Sequence, residues 1–482
     1  MVYHSLSFRL RLDESVDDMK VNQMKRKCLA VGIILLFVGT GIIPGIAQDI
    51  EKPLPTSRGS WLYVGGSGPG NYTRIQDAID NASDGDTVFV YSQGSPYFEN
   101  LMVNRSISLI GEDKNSTIID AGNIGNGVIL HSDDIVLSGF TFQNANESWE
   151  VALVKLFSND SIISNNIVNG AKPDYSIYVG IEVRGARNLI IENLAYDNWV
   201  GIDLEQASSN IISNNTIFHS PYGIYASESP YNVITGNTIF DCSTYLVDLE
   251  DSSDYCQVTG NRLYEGSAGV WVISTSNISI INNTMYNLGA GVEIGSSIVS
   301  GFFHNISQNR IYDCGSGIQM YYGTSSIISG NRIWNCTGSG IIDVDGSYEI
   351  LSRNIVTSCE IGINIVSPEK DNLVSRNELG GNRIGIYTEI HYNAVKVTEN
   401  NLIDNNRSIF FNQVFPYLGQ VPGNLAIDGN YYSDRHGSGP KLLFGWIIIL
   451  EMFIFPYLYF HIPFPRLLCD WHPAQEPYDI GG

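Results

Sequence analysis

Asn309-Arg310-Ile311-Tyr312-Asp313-Cys314 is restated 22 residues later as Asn331-Arg332-Ile333-Trp334-Asn335-Cys336. Each copy runs on into Gly followed by Ile, at Gly317 and Gly340. Working outward, the same Asn recurs at Asn215, Asn237, Asn261, Asn283, Asn309, Asn331 and Asn354, with gaps of 22, 24, 22, 26, 22 and 23. The Gly-Ile/Val marker recurs at Gly127, Gly180, Gly201, Gly223, Gly269, Gly291, Gly317, Gly340, Gly362 and Gly385. A fixed period of this length marks a solenoid, in which each repeat buries its apolar face against its neighbours. Between the markers the apolar residues alternate, as in Gly201-Ile202-Asp203-Leu204 and Asn215-Thr216-Ile217-Phe218. Period-two alternation over such short stretches is strand, not helix. The expectation is an all-β chain, a right-handed single-stranded parallel β-helix of about 12 coils with three short strands per coil.

Successive coils of such a rod lie about 4.8 Å apart, so equivalent residues stack in columns. A buried Asn amide at a turn can bond the coil above and below and also the bend's own backbone. A second Asn column is expected at Asn188, Asn210, Asn232, Asn277 and Asn372, with Cys256 standing in at one step. A third is small or thiol-bearing: Ser220, Cys242, Gly266, Cys314, Cys336 and Cys359. These thiols read as small buried hydrophobes, the common state of free Cys.

The 482 residues carry a formal charge of -23, with only 16% charged residues and 48 Gly. That balance excludes nucleic acid as a partner, because a phosphate backbone needs Lys and Arg. An acidic surface suits solubility, cations or an extracellular setting. Residues 1–47 read as a signal peptide or a membrane anchor behind an over-long start, Met19 or Met24 being the better start. Lys25-Arg26-Lys27 precedes the apolar run from Cys28 to Ile43, and Gly45-Ile46-Ala47 offers a cleavage site. Residues 48–60 form a linker, 61–125 the N-terminal cap and first coils, 126–412 the repeats, and 413–482 a hydrophobic C-terminal cap. Thr73-Arg74-Ile75-Gln76 matches a capping box, and Ile75, Ala78, Ile79 and Ala82 make one helical stripe suited to plugging the open end. Residues 442–464 are apolar and aromatic. Glu451, Pro456, Pro463 and Pro465 favour strands over a membrane helix, and membrane contact is expected only here or at the N-terminus. Sequons at Asn71, Asn104, Asn115, Asn159, Asn277 and Asn305 would allow glycosylation of an exported chain.

Four segments resemble the opening of NosD-like β-helix proteins of the pectin-lyase-like superfamily. They are Ile75-Gln76-Asp77-Ala78-Ile79, Gly85-Asp86-Thr87-Val88, Tyr97-Phe98-Glu99-Asn100 and Ser106-Ile107-Ser108-Leu109-Ile110-Gly111. The coil from Asn331 to Ile341 is similar to theirs, and Gly429-Asn430-Tyr431-Tyr432-Ser433-Asp434 resembles their Gly-Asn-Tyr-Trp-Ser-Asp ending. The resemblance implies the β-helix fold and an accessory role in maturing a copper enzyme. Here the His and Met are scattered and no paired ligand set falls on one face, so copper is not carried over. One coil type serves many functions, and the resemblance specifies fold more than activity.

Two outward columns are candidates for function. One is aromatic: Tyr196, Phe218, Phe240, Tyr264, Tyr286, Tyr312 and Trp334, flanked by Arg262, Arg310 and Arg332. Aromatic faces stack on sugars and Arg binds hydroxyls or acids, so an extended polysaccharide or cell-envelope glycan is the expected ligand. The competing reading is that stacked aromatics merely hold coils together, as in a structural or adhesive envelope protein. The second column follows the Gly-Ile marker: Glu182, Asp203, Tyr225, Asp248, Trp271 and Glu293, with Glu205 and Glu250 two positions on. Asp203, Glu205, Asp248 and Glu250 are candidates for the acid–base pair of a polysaccharide lyase or hydrolase, or for Ca²⁺. The bland alternative is a solvated acidic face. No Ser-His-Asp set, and no polygalacturonase-type set of Asp, His-Gly and Arg-x-Lys, is found, so the sequence leans away from catalysis, and it leaves the oligomeric state open. Asp470-Trp471-His472-Pro473 is expected to anchor the C-terminal cap through Trp471.

Overall fold

The computed structural model describes residues 59–146, 150–170, 179–295, 303–391, 394–415, 424–435, 440–451 and 460–480. The leader at 1–47 and most of the linker lie outside them, as do the chain's last two residues.

The chain winds as a parallel β-solenoid of about 14 turns, slightly more than the dozen expected. One turn shows the plan: Ile211–Ser213, Thr216–Phe218 and Tyr222–Ser227 follow one another, and Val233–Thr235 then pairs back on Ile211–Ser213. The first strand of each turn joins a 16-stranded sheet, and the other two share a 28-stranded sheet. Pairing is parallel and in phase, so Ile212 lies on Ile234, Ile217 on Ile239 and Ile224 on Val247. These inward residues are fully buried in one continuous core. At 238–250, 262–273 and 284–295 the second and third strands run together without a break.

The turns explain the repeated residues. Before each ladder Asn sits a residue in the left-handed region, such as Asn214 at φ 55, Gly236 at φ 66 or Arg353 at φ 57. That conformation bends the strand sharply without using up a core position. Gly317 of the Gly-Ile marker has another cause: a Cβ there would lie 2.3 Å from the Gly340 carbonyl oxygen of the next coil.

The Asn column is an unbroken hydrogen-bonded ladder. Asn309 Nδ2 donates to Asn331 Oδ1 at 3.0 Å and to the Ile280 carbonyl at 2.8 Å. Asn331 repeats this toward Asn354 and Ile306 at 2.9 and 2.8 Å. The ladder starts before the expected column, at Asn166 and Asn193, and continues through Asn377 and Asn400 to Asn430. In the second column Asn188, Asn210 and Asn232 are buried as expected, but Asn277 is not a member. Its backbone takes the left-handed φ of 59 and Ile278 fills the inward position. Cys242, Cys256, Cys314, Cys336 and Cys359 are free and buried.

The ends depart from expectation in instructive ways. The helix Ile75–Asn81 buries Ile75, Ala78 and Ile79, and Ala82 just beyond it is buried as well. Thr73 does not cap it. The Glu99 carboxylate instead accepts from Ile75 N at 2.8 Å and Gln76 N at 3.0 Å. An anion at the first turn satisfies amides that the helix itself leaves open. At the far end Lys441–Glu451 and Phe460–Asp470 pair antiparallel as strands. Trp471 is 67% exposed and anchors nothing. The anchor is Asp470, fully buried, which accepts from Asn430 N at 3.0 Å, Gly429 N at 3.1 Å and the Tyr432 hydroxyl at 3.1 Å. The Gly429–Asp434 motif is thus the place where the Asn ladder is closed by a carboxylate.

Candidate functional site

Strand alternation turns two sets of side chains outward on neighbouring faces. On the Thr216–Phe218 face the aromatic column is in register from Tyr196 to Trp334. Its rings stack face to face: centroids are 5.1, 5.1, 4.9, 4.8, 5.0 and 4.5 Å apart, and no pair is tilted by more than 13°. Each interior ring therefore spends both faces on its neighbours. A ligand approaching along the strip meets ring edges and hydroxyls, not ring faces. Arg262 lies over Tyr264 and Tyr286, 5.1 and 5.6 Å from their centroids, and donates to the Tyr286 hydroxyl at 2.6 Å. Arg310 and Arg332 are exposed and adjacent in register.

On the Tyr222–Ser227 face the second column is equally regular. Lys155, Glu182, Asp203, Tyr225, Asp248, Trp271 and Glu293 occupy successive coils. The face is far from solvated. Glu182 is 2% exposed and pairs with Lys155 Nζ at 2.8 Å, and Arg184 ties Glu182 to Glu205. Asp203 has one oxygen without a partner, and its carboxyl is pushed up to about 7 by burial and by Glu182 and Glu205. Asp248 is fully buried although it belongs to the outward column, and neither oxygen has a partner among the described residues. Burial, and then Glu250, push its carboxyl up to about 8. Glu250 accepts from the Tyr225 hydroxyl at 3.1 Å. Burial also raises Glu293.

Aromatic rings close around Asp248. Tyr225 and Trp271 are its neighbours in the column. Tyr245 pairs with Ala268 yet stacks on Trp271, at 4.7 Å and 3°, so its ring leans diagonally across the strand. Tyr222 meets both Tyr225 and Tyr245 edge-on, at 6.0 and 6.2 Å. Tyr222, Tyr245, Lys155 and Arg184 were not singled out from the sequence. The first two sit two positions ahead of the inward residues Ile224 and Val247, and the residue between, Gly223 or Leu246, is buried as well, so the alternation is interrupted there. Lys155 lies in the column but on a coil without the Gly-Ile marker.

Residues 126–285 match the family model described as right-handed beta helix region, and residues 247–437 match that described as periplasmic copper-binding protein (NosD). The resemblance read from the motifs is borne out, and the fold is a right-handed parallel β-helix. No curated protein matches the chain. Similar solved structures include the A-module of a mannuronan C-5 epimerase, AlgE6, from Azotobacter vinelandii, at 13% identity and TM-score 0.48, covering 73% of this chain and 92% of that one. The surface adhesin PfbA of Streptococcus pneumoniae is 12% identical with TM-score 0.42, covering 70% and 87%. The tailspike of Escherichia coli bacteriophage HK620, in complex with a pentasaccharide, is 10% identical with TM-score 0.39, covering 80% and 79%. The copper in the family description does not fit the donors among the described residues. His219 lies between Asp197 and Asp241, His304 is in the core, His391 meets Glu389 and His472 meets Asp428. Among the described residues no three His, Cys, Asp or Glu are grouped to hold a metal. No helix among them is long and apolar enough to cross a membrane.

Proposed function

We propose that the chain is an exported β-helix of the cell surface, periplasm or extracellular space that binds an extended polysaccharide across the Tyr222–Ser227 face and the adjoining aromatic strip. The observation that carries this is Asp248: an outward-column carboxyl, wholly buried among tyrosines and a tryptophan, with neither oxygen partnered among the described residues. A buried polar group without a partner costs about 1–3 kcal/mol. A sugar hydroxyl would supply that partner once the rings covering Asp248 part, and Tyr222, Tyr225, Tyr245 and Trp271 supply apolar surface for sugar rings. The aromatic strip adds the Tyr286 and Tyr312 hydroxyls and edges. The reading invokes no resident cofactor.

A glycan panel binding assay tests it, with Asp248→Leu, Trp271→Ala and Tyr286→Ala beside the parent chain. Asp248→Leu or Trp271→Ala should weaken binding at least about tenfold while the chain stays folded. Unchanged affinity in both removes the reading and leaves a structural or adhesive envelope protein.

A second reading rests on Asp203 at about 7 and Asp248 at about 8. Carboxyls that stay protonated near neutral pH can serve as general acids. Their backbones lie two coils apart, about 9–10 Å. Tyr225 occupies the coil between them, so the pair could act only on a sugar bound over that ring. Incubation with varied glycans, Ca²⁺ supplied, should release oligosaccharides. No product from any of them counts against catalysis without touching the binding proposal. Membrane contact at 442–464 rests on Leu442, Phe444 and Trp446, exposed on one side of their strand; vesicle flotation of the full chain checks it.

A further inference from the structure

We infer that Arg310, Arg332 and Arg353, grouped beside Trp334, bind the acidic groups of a carboxylated or sulfated polysaccharide. The inference rests on the polysaccharide reading above and names the class of ligand. Three observations lead to it.

The first is the rarity of a free cation here. The chain has 27 Lys and Arg against 50 Asp and Glu. Many cations elsewhere on the solenoid are engaged: Lys155 and Arg184 with Glu182, Arg187 with Asp160, Arg376 with Glu399, Arg383 with Glu360, and Arg262 on Tyr286; Arg105, Lys370 and Lys396 are exposed without an ion pair among the described residues, but they stand on separate coils. Arg310, Arg332 and Arg353 are exposed, and none of them has an ion-pair partner among the described residues.

The second is their placement. Arg310 and Arg332 are direct register partners, one coil apart. Arg353 sits in the turn of the next coil, at the left-handed position preceding Asn354 and two residues before Ile355, the register partner of Arg332. Like charges on adjacent rungs oppose one another and disfavour the pairing. An anion lying across them reverses the sign, and the planar guanidinium fork matches carboxylate and sulfate oxygens two at a time. Acids of the neighbouring coils do not compensate the group. Asp313 is engaged by the Asn335 amide, and Glu378 lies two coils past Arg332 in the same column.

The third is the end of the aromatic ladder. Trp334 stacks on Tyr312 at 4.5 Å, but its partners on the following coils are Thr357 and then Gly380. The column drops from an indole to a small side chain and then to none. This leaves a ledge beside the arginines where a ring face is not spent on another ring. A sugar set on the ledge would stack on the indole while its acidic substituent reaches Arg332 and Arg353.

The test uses the full chain with polygalacturonate, dextran sulfate and neutral dextran, each at low and high salt. Expected is binding of an acidic polymer at least about tenfold tighter than neutral dextran, weakening as salt rises. The Arg310→Gln/Arg332→Gln double variant should lose at least about tenfold of that affinity, Trp334→Ala should lose part of it, and Arg105→Gln, far from the ledge, should lose none. The rank of polygalacturonate against dextran sulfate identifies the preferred anion. Equal affinity for neutral and acidic polymers, an unaffected double variant, or duplex DNA bound as tightly as the polysaccharide would each overturn the inference. Loss of binding in Asp248→Leu but not in the arginine variant sinks this site alone. The opposite pattern sinks the Asp248 groove alone.

Discussion

At the scale of single residues, the ladder asparagines do what no other side chain can. Each amide both donates and accepts along the axis while closing its own bend. In Asn309→Ala the Ile280 carbonyl loses its 2.8 Å donor and the Asn283 N–H loses its 2.9 Å acceptor, both deep in the solenoid. Stranding two buried backbone groups should cost about 2–4 kcal/mol in denaturant unfolding. Gln257→Ala, on an exposed strand position, should stay within about 0.5 kcal/mol. Equal effects would mean the ladder is not what holds the turns. Asp470 belongs to the same logic. It accepts the last ladder donors, so Asp470→Ala should destabilise by a similar amount although it lies 40 residues from Asn430. That role could not be read from the sequence, where Trp471 drew attention by size. Only the folded chain shows that the carboxylate is buried and the indole exposed.

At the scale of elements, alternation and period carried most of the reading, because in a solenoid each local strand pattern is checked by its copies. The columns through Asn331, Ile333 and Trp334 could be placed in space from spacing alone. What escaped was lateral. Whether rings in a column stack on one another or lean sideways, as Tyr245 does onto Trp271, depends on side-chain rotamers that spacing does not specify. The helix Ile75–Asn81 is legible from its apolar stripe, but its capping group, Glu99, is not, because it comes from another turn of chain. The aromatic ladder yields a prediction on this scale. Tyr286 stacks on two rings, at 4.8 and 5.0 Å, and Trp334 on one. At about 0.5–1.5 kcal/mol per stacked pair, Tyr286→Ala should cost about 1–3 kcal/mol beyond its lost burial, and Trp334→Ala about half of that. Melting both variants gives the comparison. A larger loss at Trp334 would show that the ladder is not additive along the rod.

At the scale of the whole molecule, four carboxyls sit where burial keeps them protonated, and they set how stability responds to pH. Asp343 and Glu349 point into the core: Asp343 follows Met320 in an inward column and accepts from Asn372 Nδ2 at 2.7 Å, and Glu349 accepts from Ser326 N at 3.0 Å. Burial pushes Asp343 up to about 7 and, with Asp343 beside it, Glu349 up to about 9. Asp203 and Asp248 stand at about 7 and about 8 on the outward face. Unfolded, all four titrate near about 4. Between there and their folded values the native chain holds more protons than the unfolded one, so stability falls as pH rises through that window. His304 works the other way. Its folded value is about 4, below the unfolded value of about 6.5, so the stability it contributes is lost on acidification through that range. With four groups against one, and a net charge of -23 whose self-repulsion grows with pH, the carboxyls dominate. The melting temperature should therefore be higher at about pH 5 than at about pH 7, and lower again at about pH 9. Calorimetry across that range on the parent and on Asp343→Asn/Glu349→Gln makes the check. The double variant, which cannot ionise at those positions, should show a flatter fall. A parent chain whose melting temperature climbs from pH 5 to pH 8, or a variant with an unchanged slope, would place the acidic pair in an environment wetter than the solenoid core.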